Sequence, residues 1–375
     1  GWAINENIEN NFPLTLNEPI RLLTPKNVNY NRPHTIYGLD KQQIDERFFF
    51  FIIHNAKNRE HSFIHRSEVK LSYVPRFEAE ALTPIVRMGP GERVLVRLKN
   101  HSRDGVTDTV RIEHDFASAT GIAFRLSNKE DSQVTTLFPV WNSKLQTGNY
   151  VIPISIQGEE VARFAARKFD TAIDDKKRLG LLTGITESPL QSALRRLRVN
   201  NTRVDFSQNI AQQIDSLDVL FIDRNAMLLS PEILRNKEQI EAFVNNGGHL
   251  VILAQEADTW NANPLWNEVS LASIYTHHDE LPVEIDSNHD LLKSPNIITS
   301  IDWQEWLFLR SYNFVDLSTD NGIEIPVRVK DSSAPLVITR RFGKGRKTYV
   351  DLALSPQLQN VHPGAFRILA NLISY

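Results

Sequence analysis

A β-α-β pattern at residues 218–254 constrains the fold of this chain more than any other feature of its sequence. Two short, wholly apolar runs flank a longer amphipathic stretch, and Ser230 followed by Pro231 suits the start of a helix. Strands that are apolar on both faces are typical of a parallel sheet covered by helices on both sides. The pattern therefore predicts the centre of an open α/β domain. In such a domain a ligand would bind beyond the carboxyl ends of the strands, after Asp223 and after Ala254.

The composition excludes several classes of function. With 41% hydrophobic and 23% charged residues, the chain has the composition of an ordinary soluble globular protein. A formal charge of −3 offers no electrostatic attraction for nucleic acid, and no apolar run is long enough to span a membrane. The absence of cysteine excludes disulfides, thiolate metal ligands and a cysteine nucleophile. The abrupt start at Gly1 suggests a fragment of a longer protein.

The patterning changes along the 375 residues and predicts a multidomain chain with β and α/β parts. A β-rich, otherwise irregular N-terminal segment with strands at 47–53 and 63–73 comes first, and a series of regularly spaced short strands follows. A polar, charged linker then leads to the α/β domain. The predicted parts are, in order, residues 1–74, 75–160, 161–177 and 178–375.

Short strands at even spacing, separated by Gly and Pro, indicate an immunoglobulin-like β-sandwich between residues 75 and 160. The strands are predicted at 84–88, 94–98, 110–113 and 148–156. Their order and their turns resemble the sandwich domains that stand beside carbohydrate-binding modules in secreted glycan-processing enzymes.

The α/β domain is predicted to contain a parallel sheet and a closing hairpin. Its predicted elements besides the central unit are strands at 178–183 and 203–206, a helix capped by Ser188, a short helix at 207–217, hairpin strands at 336–342 and 347–352, and a helix starting at Pro363. Gly343, Lys344 and Gly345 join two strands and precede no helix, so they are interpreted as a turn and not as a phosphate-binding loop.

Several motifs of the α/β part occur in the order of a known family. They are Gly247-Gly248-His249, His289-Asp290 with Pro295-Asn296, Trp303 with Trp306, Arg341 to Gly345, and Pro363 to Leu372. The series resembles the C-terminal region of large bacterial PIG-L (LmbE-like) deacetylase polypeptides, and the resemblance covers residues 75–375. It implies a zinc-dependent N-acetylglucosaminyl deacetylase domain elsewhere in the same polypeptide, a secreted or periplasmic location, and a flavodoxin-like α/β domain similar to class I glutamine amidotransferases.

The deacetylase motifs that the family carries are missing from this sequence. Neither the His-Pro-Asp-Asp run nor the later His-x-x-His that supply the zinc ligands and the base is present, and His54, His61 and His65 lack paired aspartates. The pair at 277–278, taken together with His289, is an alternative metal-binding group, but its spacing matches no known ligand pattern. We therefore predict no metal and no cofactor in this chain, with zinc implied only for the deacetylase domain.

The catalytic nucleophile of the amidotransferases is also missing from this sequence. In that family a cysteine follows the strand after the Gly-Gly pair, and here the same turn reads Ala254, Gln255, Glu256. No Gly-x-Ser-x-Gly motif replaces it, so no catalytic residue is predicted. Glu256 and Asp258 stand at the strand end, where they would either contact a ligand or cap a loop.

Four of the six tryptophans, Trp260, Trp266, Trp303 and Trp306, lie just beyond the central strand. Sugar rings stack on indoles, so these side chains are predicted to form a glycan platform together with Glu256 and Asp258. The competing interpretation is that they pack the irregular segment onto the sheet.

Three functions fit the sequence. The first is a non-catalytic accessory region of a PIG-L-type deacetylase polypeptide that positions or binds a glycan or glycoconjugate. The second is a stand-alone hydrolase that uses acidic or histidine residues of the α/β crevice. The third is a structural assembly module. The missing nucleophile favours the first and the third.

Overall fold

The computed structural model describes the strands at 34–37, 46–55 and 62–74, and residues 77–375 apart from 101–104, 128–130, 274–279, 320–321 and 333. Within these residues the chain is β-rich, with several sheets and one part in which helices flank a sheet. This agrees with the predicted combination of β and α/β parts. The expectation of irregular structure before residue 34 lies outside the described residues.

The N-terminal strands form a three-stranded sheet. The two strands predicted in this segment pair in antiparallel fashion, and a third pairs in parallel with the later of them. The order in the sheet is β1-β3-β2. The strands are β1 (His34–Tyr37), β2 (Glu46–Asn55) and β3 (Ser62–Val74).

Two further sheets share one apolar core. Alternation along the strands places Val94, Val96 and Leu98 of one sheet against Val110 and Ile112 of the other. The sheet orders are β4-β6-β9 and β10-β8-β7-β11-β12-β5. The strands are β4 (Phe77–Ala81), β5 (Ile85–Arg87), β6 (Val94–Asn100), β7 (Val106–His114), β8 (Ala117–Leu126), β9 (Ser132–Leu137), β10 (Val140–Trp141), β11 (Gly148–Ile156) and β12 (Glu159–Lys168).

The α/β part is built on an eight-stranded sheet. Its order is β14-β13-β15-β16-β22-β21-β20-β18, in which the first five strands are parallel and the remaining three pair in antiparallel fashion. Strands β17 and β19 form a separate ribbon. The strands are β13 (Leu179–Leu182), β14 (Asn201–Arg203), β15 (Val219–Ile222), β16 (His249–Leu253), β17 (Val269–Ser273), β18 (Val283–Ile285), β19 (Asn313–Leu317), β20 (Glu324–Val329), β21 (Pro335–Phe342) and β22 (Gly345–Val350).

Helices cover both faces of this sheet. Because side chains alternate along a strand, Phe221 and Val251 face one core, whereas Ile222 and Ile252 face the other. The helices are α1 (Pro189–Leu197), α2 (Ile210–Ile214), α3 (Ala226–Leu229), α4 (Glu232–Arg235), α5 (Lys237–Asn245), α6 (Ala257–Ala262), α7 (Leu354–Gln359) and α8 (Pro363–Ser374), with 3-10 turns at Asp290–Leu292 and Ser300–Trp303.

The helix predicted between the two central strands is divided into α3, α4 and α5. Ser230 lies between α3 and α4, and its carbonyl accepts from the Ile233 N–H at 3.0 Å, so a helix starts here as predicted, although it is only four residues long. Pro231 has no N–H with which to continue α3. The Asn236 side chain donates to the Glu232 carbonyl at 2.8 Å, which favours a break before α5. The helical stretch ends just before Gly247, whose left-handed φ of 122° is easily adopted only by glycine.

The segment predicted as a linker, 161–177, begins inside β12, which pairs with β11 along its whole length. The remainder of the segment is attached to the α/β part. Phe169 is buried with its ring 5.5 Å from that of Phe366, and the backbone N–H of Ala172 donates to Asn296 Oδ1 at 2.9 Å. These contacts could not be predicted from the charged sequence of the segment, because the apolar and amide partners come from distant parts of the chain.

The two-sheet part and the α/β part are in contact through arginines. Arg87 Nη1 donates to the Arg196 carbonyl at 2.9 Å, and Arg198 Nη2 donates to the Pro90 carbonyl at 3.1 Å. A half-buried ion pair joins Arg196 to Glu92 at 3.5 Å. These contacts fix the turn between β5 and β6 against the end of α1.

Candidate functional site

The order of the sheet places a switch in chain direction between β13 and β15. From β13 the chain passes to β14 on one side and then returns to β15 on the other. A crevice at the carboxyl ends of two such strands is the usual ligand site of an open α/β sheet. Thr183 and Asp223 follow these strands, and the Thr183 hydroxyl is 3.1 Å from Asp223 Oδ2.

Asp223 is a bonded carboxylate at this edge of the sheet. It accepts hydrogen bonds from the backbone N–H of Arg224 at 2.8 Å and from the hydroxyls of Thr183 and Ser188. Burial raises its pKa, and these hydrogen bonds oppose that rise. The Ser188 oxygen also caps α1 by accepting from the Gln191 N–H at 3.1 Å, as predicted for this residue. Asp223 therefore connects two strand ends and a helix start.

The turn after β16 carries no free reactive group. Ala254 is buried, and the buried side chain of Gln255 is bonded at both ends. Its Nε2 donates to the carbonyls of Asp223 at 2.8 Å and Leu253 at 2.5 Å, and its Oε1 accepts from the Met227 N–H at 3.1 Å. Gln255 thus ties the ends of β15 and β16 together.

A buried carboxyl closes the neighbouring strand end. Asp351, directly after β22, accepts from the N–H groups of Tyr312 and Asn313 and from the Asn313 side chain. Asn313 Nδ2 also donates to the Gln255 carbonyl at 3.1 Å, and the Tyr349 hydroxyl lies 3.3 Å from Asp351 Oδ1. Complete burial raises the pKa of Asp351 to about 7. The network fills the space between β16 and β22 with internal hydrogen bonds.

The two acidic residues predicted to contact a ligand lie at the start of α6. Glu256 caps this helix, because its carboxylate accepts from the N–H groups of Asp258 and Thr259 at 3.1 and 2.8 Å and from the Thr259 hydroxyl at 2.6 Å. These hydrogen bonds lower the pKa of Glu256. Asp258 is exposed in the first turn, where a negative charge complements the helix dipole. Both positions follow the capping interpretation.

Trp260 and Trp266 are buried in the core that contains Tyr349. Their exposed fractions are 0% and 1%. Trp260 Nε1 donates to the Val269 carbonyl at 2.8 Å, and its ring lies 5.1 Å from that of Tyr349. Trp266 makes an edge contact with Phe342 at 5.3 Å. These indoles hold α6 and the following loop against the sheet.

Trp303 and Trp306 are buried on the opposite face, with exposed fractions of 6% and 2%. Their rings lie 5.4 Å apart, and the Arg310 guanidinium lies 5.0 Å above the Trp306 ring. Trp306 Nε1 donates to the Asp302 carbonyl at 3.0 Å. Since the four indoles are buried as two pairs on opposite faces of one sheet, the predicted single platform does not form.

Other side chains are exposed at the carboxyl edge of the sheet, and this group is called the rim. The Arg224 guanidinium lies 4.7 Å above the ring of half-buried Tyr312. Three apolar side chains, Ile185, Leu228 and Leu229, are exposed beside it. The sequence signal for Arg224 was its place directly after Asp223, but Tyr312 comes from a segment with no local pattern.

The candidate histidines give no metal site in the described part of the chain. His289 caps a 3-10 turn, and its Nε2 lies 2.8 Å from Glu324 Oε2. No group of three or more His, Cys, Asp or Glu side chains with metal-binding geometry occurs among the described residues. The other candidates are outside the described side chains: His54, His61, His65, His277 and His278.

No family model and no curated protein matches this chain. Solved structures give distant similarities. An exo-β-1,4-mannosidase from an Opitutaceae bacterium is 12% identical over 52% of this chain and 34% of its own, with a TM-score of 0.31. A β-galacturonidase from Eisenbergiella tayi is 12% identical over 52% of this chain and 49% of its own, with a TM-score of 0.22. A xyloglucanase from Bacteroides ovatus is 10% identical over 48% of this chain and 45% of its own, with a TM-score of 0.21. The chain spans less than half of each of these proteins, and scores this low support no transfer of fold or activity.

None of the helices in the described part of the chain combines the length and the apolar character that crossing a bilayer requires.

Proposed function

We propose that this chain is a non-catalytic accessory region of a PIG-L-type N-acetylglucosaminyl deacetylase polypeptide, where it holds or positions a glycan substrate. In this proposal β4–β12 form an immunoglobulin-like sandwich, and β13–β22 with their helices form an amidotransferase-like domain. Deacetylation and its zinc belong to another domain of a secreted or periplasmic polypeptide.

One observation carries the non-catalytic part of the proposal. At the turn where amidotransferases have their cysteine, Gln255 is buried, and both ends of its side chain are bonded to the backbone of neighbouring segments. A nucleophile needs an exposed atom and an adjacent base. Glu256, the nearest acid, is engaged in capping α6, which removes the support for a hydrolase acting through this residue.

The rim offers the chemistry that a sugar needs. Arg224 is exposed, and its guanidinium carries five N–H donors for hydroxyl oxygens. Its stacking on Tyr312 restrains the guanidinium plane, so less conformational entropy is lost when a hydroxyl binds. With the indoles buried, we assign the glycan contact to Arg224 and Tyr312.

Calorimetric titration with N-acetylglucosamine oligosaccharides tests this assignment. We expect dissociation constants on the order of 0.1 to 10 mM, which is the range of a few hydrogen bonds and one stacking contact. Arg224→Ala should weaken binding at least about fivefold. Arg235→Ala, which changes an exposed arginine on α4, is the matched control. Absence of binding at 10 mM, or equal affinity of the Arg224→Ala protein, refutes the glycan contact.

The exposed rim also favours a second candidate, a surface for assembly with the deacetylase domain. Leu228 and Leu229 are each 51% exposed, and Ile185 is 43% exposed. Leu229 packs over Gly184, where a Cβ would lie 2.2 Å from that of Leu229. Neighbouring apolar side chains of this kind are typical of contact surfaces. Leu228→Glu should abolish binding to the deacetylase domain in a pull-down, and unchanged binding contradicts this candidate.

A further inference from the structure

A second cleft lies at the opposite edge of the same sheet. It encloses about 680 Å³ and opens at the amino ends of β13, β15, β16 and β22. Its lining includes His249, the first residue of β16, and Arg346 near the start of β22. The glycan contact proposed above lies at the carboxyl edge, so an inference about this cleft does not depend on it.

The buried imidazole in this cleft has one nitrogen without a partner. His249 is 7% exposed, and its Nδ1 has no hydrogen-bond partner among the described residues. A buried polar atom without a partner costs free energy, so it marks a place for a hydrogen-bonding group. The other ring nitrogen, Nε2, lies 2.9 Å from the Thr348 hydroxyl.

One arrangement of the hydroxyl protons beside His249 satisfies every group in the chain of hydrogen bonds. In it the Thr339 hydroxyl donates to the Lys347 carbonyl at 3.2 Å and accepts from the Tyr375 hydroxyl. The Thr348 hydroxyl donates to Thr339 at 3.0 Å, and His249 Nε2–H donates to Thr348. Burial lowers the pKa of His249 to about 3, so the ring is neutral. Nδ1 is therefore a lone-pair acceptor, and its missing partner is an O–H or N–H donor.

The same cleft is rich in positive charge. Arg341 and Arg346 are directly opposite each other in the antiparallel β21–β22 pair, and Lys177 and Lys344 also line the cleft. Like charges directly opposite on a sheet repel, and a bound anion relieves that repulsion. None of these four cations forms an ion pair with another described residue.

Three carboxylates also line the cleft, but they do not cancel this charge. Asp218 is neutralised by Arg178, whose Nε and Nη2 donate to its two oxygens at 3.0 and 3.1 Å. Asp215 follows α2 and Glu238 lies on α5, on the side of the sheet away from His249. Asp290 and Glu324 add two carboxylates near Tyr375 on the wall that contains His249, and the four cations of the cleft outnumber them.

We infer that this cleft binds a phosphorylated sugar or polyol. A ligand hydroxyl donates to His249 Nδ1, and the phosphate lies between Arg341 and Arg346 with Lys344 at the entrance. Two opposed guanidinium groups suit a dianion better than a single carboxylate, and a phosphate monoester carries close to two negative charges at neutral pH. The backbone around the site is held in place, since the N–H groups of Lys344 and Arg346 donate to Asn245 and Gly248 at 3.1 Å.

Calorimetry with three probes tests the inference: glucose 6-phosphate has both groups, inorganic phosphate has the charge alone, and glucose has the hydroxyls alone. We expect a dissociation constant on the order of 0.1 to 1 mM for glucose 6-phosphate, from the usual efficiency of small ligands. Inorganic phosphate should bind about five- to tenfold more weakly because it lacks the contact with His249. Glucose should not bind measurably.

Variants separate the two contacts. His249→Phe keeps a ring against Tyr375 but removes the acceptor nitrogen. The affinity of this variant for glucose 6-phosphate should therefore fall to its affinity for inorganic phosphate. His249→Asn, which restores an acceptor oxygen, should keep part of the preference. Arg341→Glu should weaken both phosphates at least about tenfold. Lys330→Glu is the matched control, because Lys330 follows β20 at the opposite edge of the sheet.

Two results overturn the inference. One is the absence of glucose 6-phosphate binding at 10 mM. The other is equal affinity for glucose 6-phosphate and inorganic phosphate in the wild-type, His249→Phe and His249→Asn proteins, which would show a charged surface without a hydroxyl contact.

Discussion

The carboxylate of Asp351 accepts hydrogen bonds from both the backbone and the side-chain nitrogen of Asn313, at 2.7 and 2.8 Å. This pair joins the start of β19 to the end of β22 in a site closed to water. Polar groups at this edge of an α/β sheet usually face a ligand. Here Asp351 and Asn313 bond to each other instead. The polar groups between β16 and β22 therefore stabilise the fold.

Replacement of this carboxyl should destabilise the fold. Asp351→Asn directs an amide NH₂ at N–H donors, and we expect a loss of about 1–3 kcal/mol in the free energy of unfolding. Urea denaturation at pH 5, where the folded-state carboxyl is protonated, measures it. Asp316→Asn, which changes an aspartate of β19 on the exposed side of its strand, is the control and should change little. A loss below the error of the control contradicts the structural role.

The effect of Asp351 should depend on pH. Burial raises the pKa of the folded-state carboxyl to about 7, compared with 3.8 in the unfolded chain. Between these values the folded protein keeps a proton that the unfolded chain releases, so this contribution to stability is present at low pH and is lost as pH rises through 7. The stability difference between wild type and Asp351→Asn should therefore shrink from pH 5 to pH 7, by about 1.4 kcal/mol per pH unit. A constant difference contradicts the pKa assignment.

The contribution of His249 to the pH dependence of stability should have the opposite sign. Its folded-state pKa is about 3, compared with 6.5 in the unfolded chain. Below pH 6.5 the unfolded chain binds a proton that the folded protein excludes, so stability is lost as pH falls. Relative to His249→Phe, which cannot titrate, wild type should lose about 1.4 kcal/mol per pH unit between pH 6 and pH 4. Parallel curves for the two proteins would refute this account of the buried ring.

The buried indoles should behave as core side chains. Trp260→Ala and Trp303→Ala, one on each face of the sheet, should each cost about 3–5 kcal/mol of unfolding free energy, since each leaves a large cavity. Trp→Phe at the same positions should cost less and serves as the size control. Tryptophan emission should be blue-shifted and insensitive to oligosaccharide. A red-shifted emission that responds to sugar contradicts their burial.

Features set by short stretches of sequence were predictable here. Ser188 before Pro189 is a helix start, and the turn between β21 and β22 at Gly343–Gly345 follows from its glycines and flanking strands. The environment of the four tryptophans was not predictable, because burial depends on which face of the sheet each segment covers. Nor could local patterns reveal the pairing of Asp351 with Asn313, which are 38 positions apart and meet only in the folded sheet.

The second cleft shows a similar limit. Lys344 belongs to a segment that the sequence identified as a turn, and the structure confirms the turn. No local pattern could place His249 beside it, since the strand order β16-β22 brings together residues almost 100 positions apart.

The most direct test of the central claim, that this chain is non-catalytic, is an activity assay on the purified protein. Acetate release from N-acetylglucosamine substrates and glutamate formation from glutamine should be measured with and without added zinc. We expect neither product above the level of a no-protein control, because the deacetylase motif is missing and the turn after β16 carries the bonded Gln255 in place of a nucleophile. Acetate release that is abolished by a chelator and by substitution of His54 or His65, or glutamate formation by the chain alone, would contradict the claim.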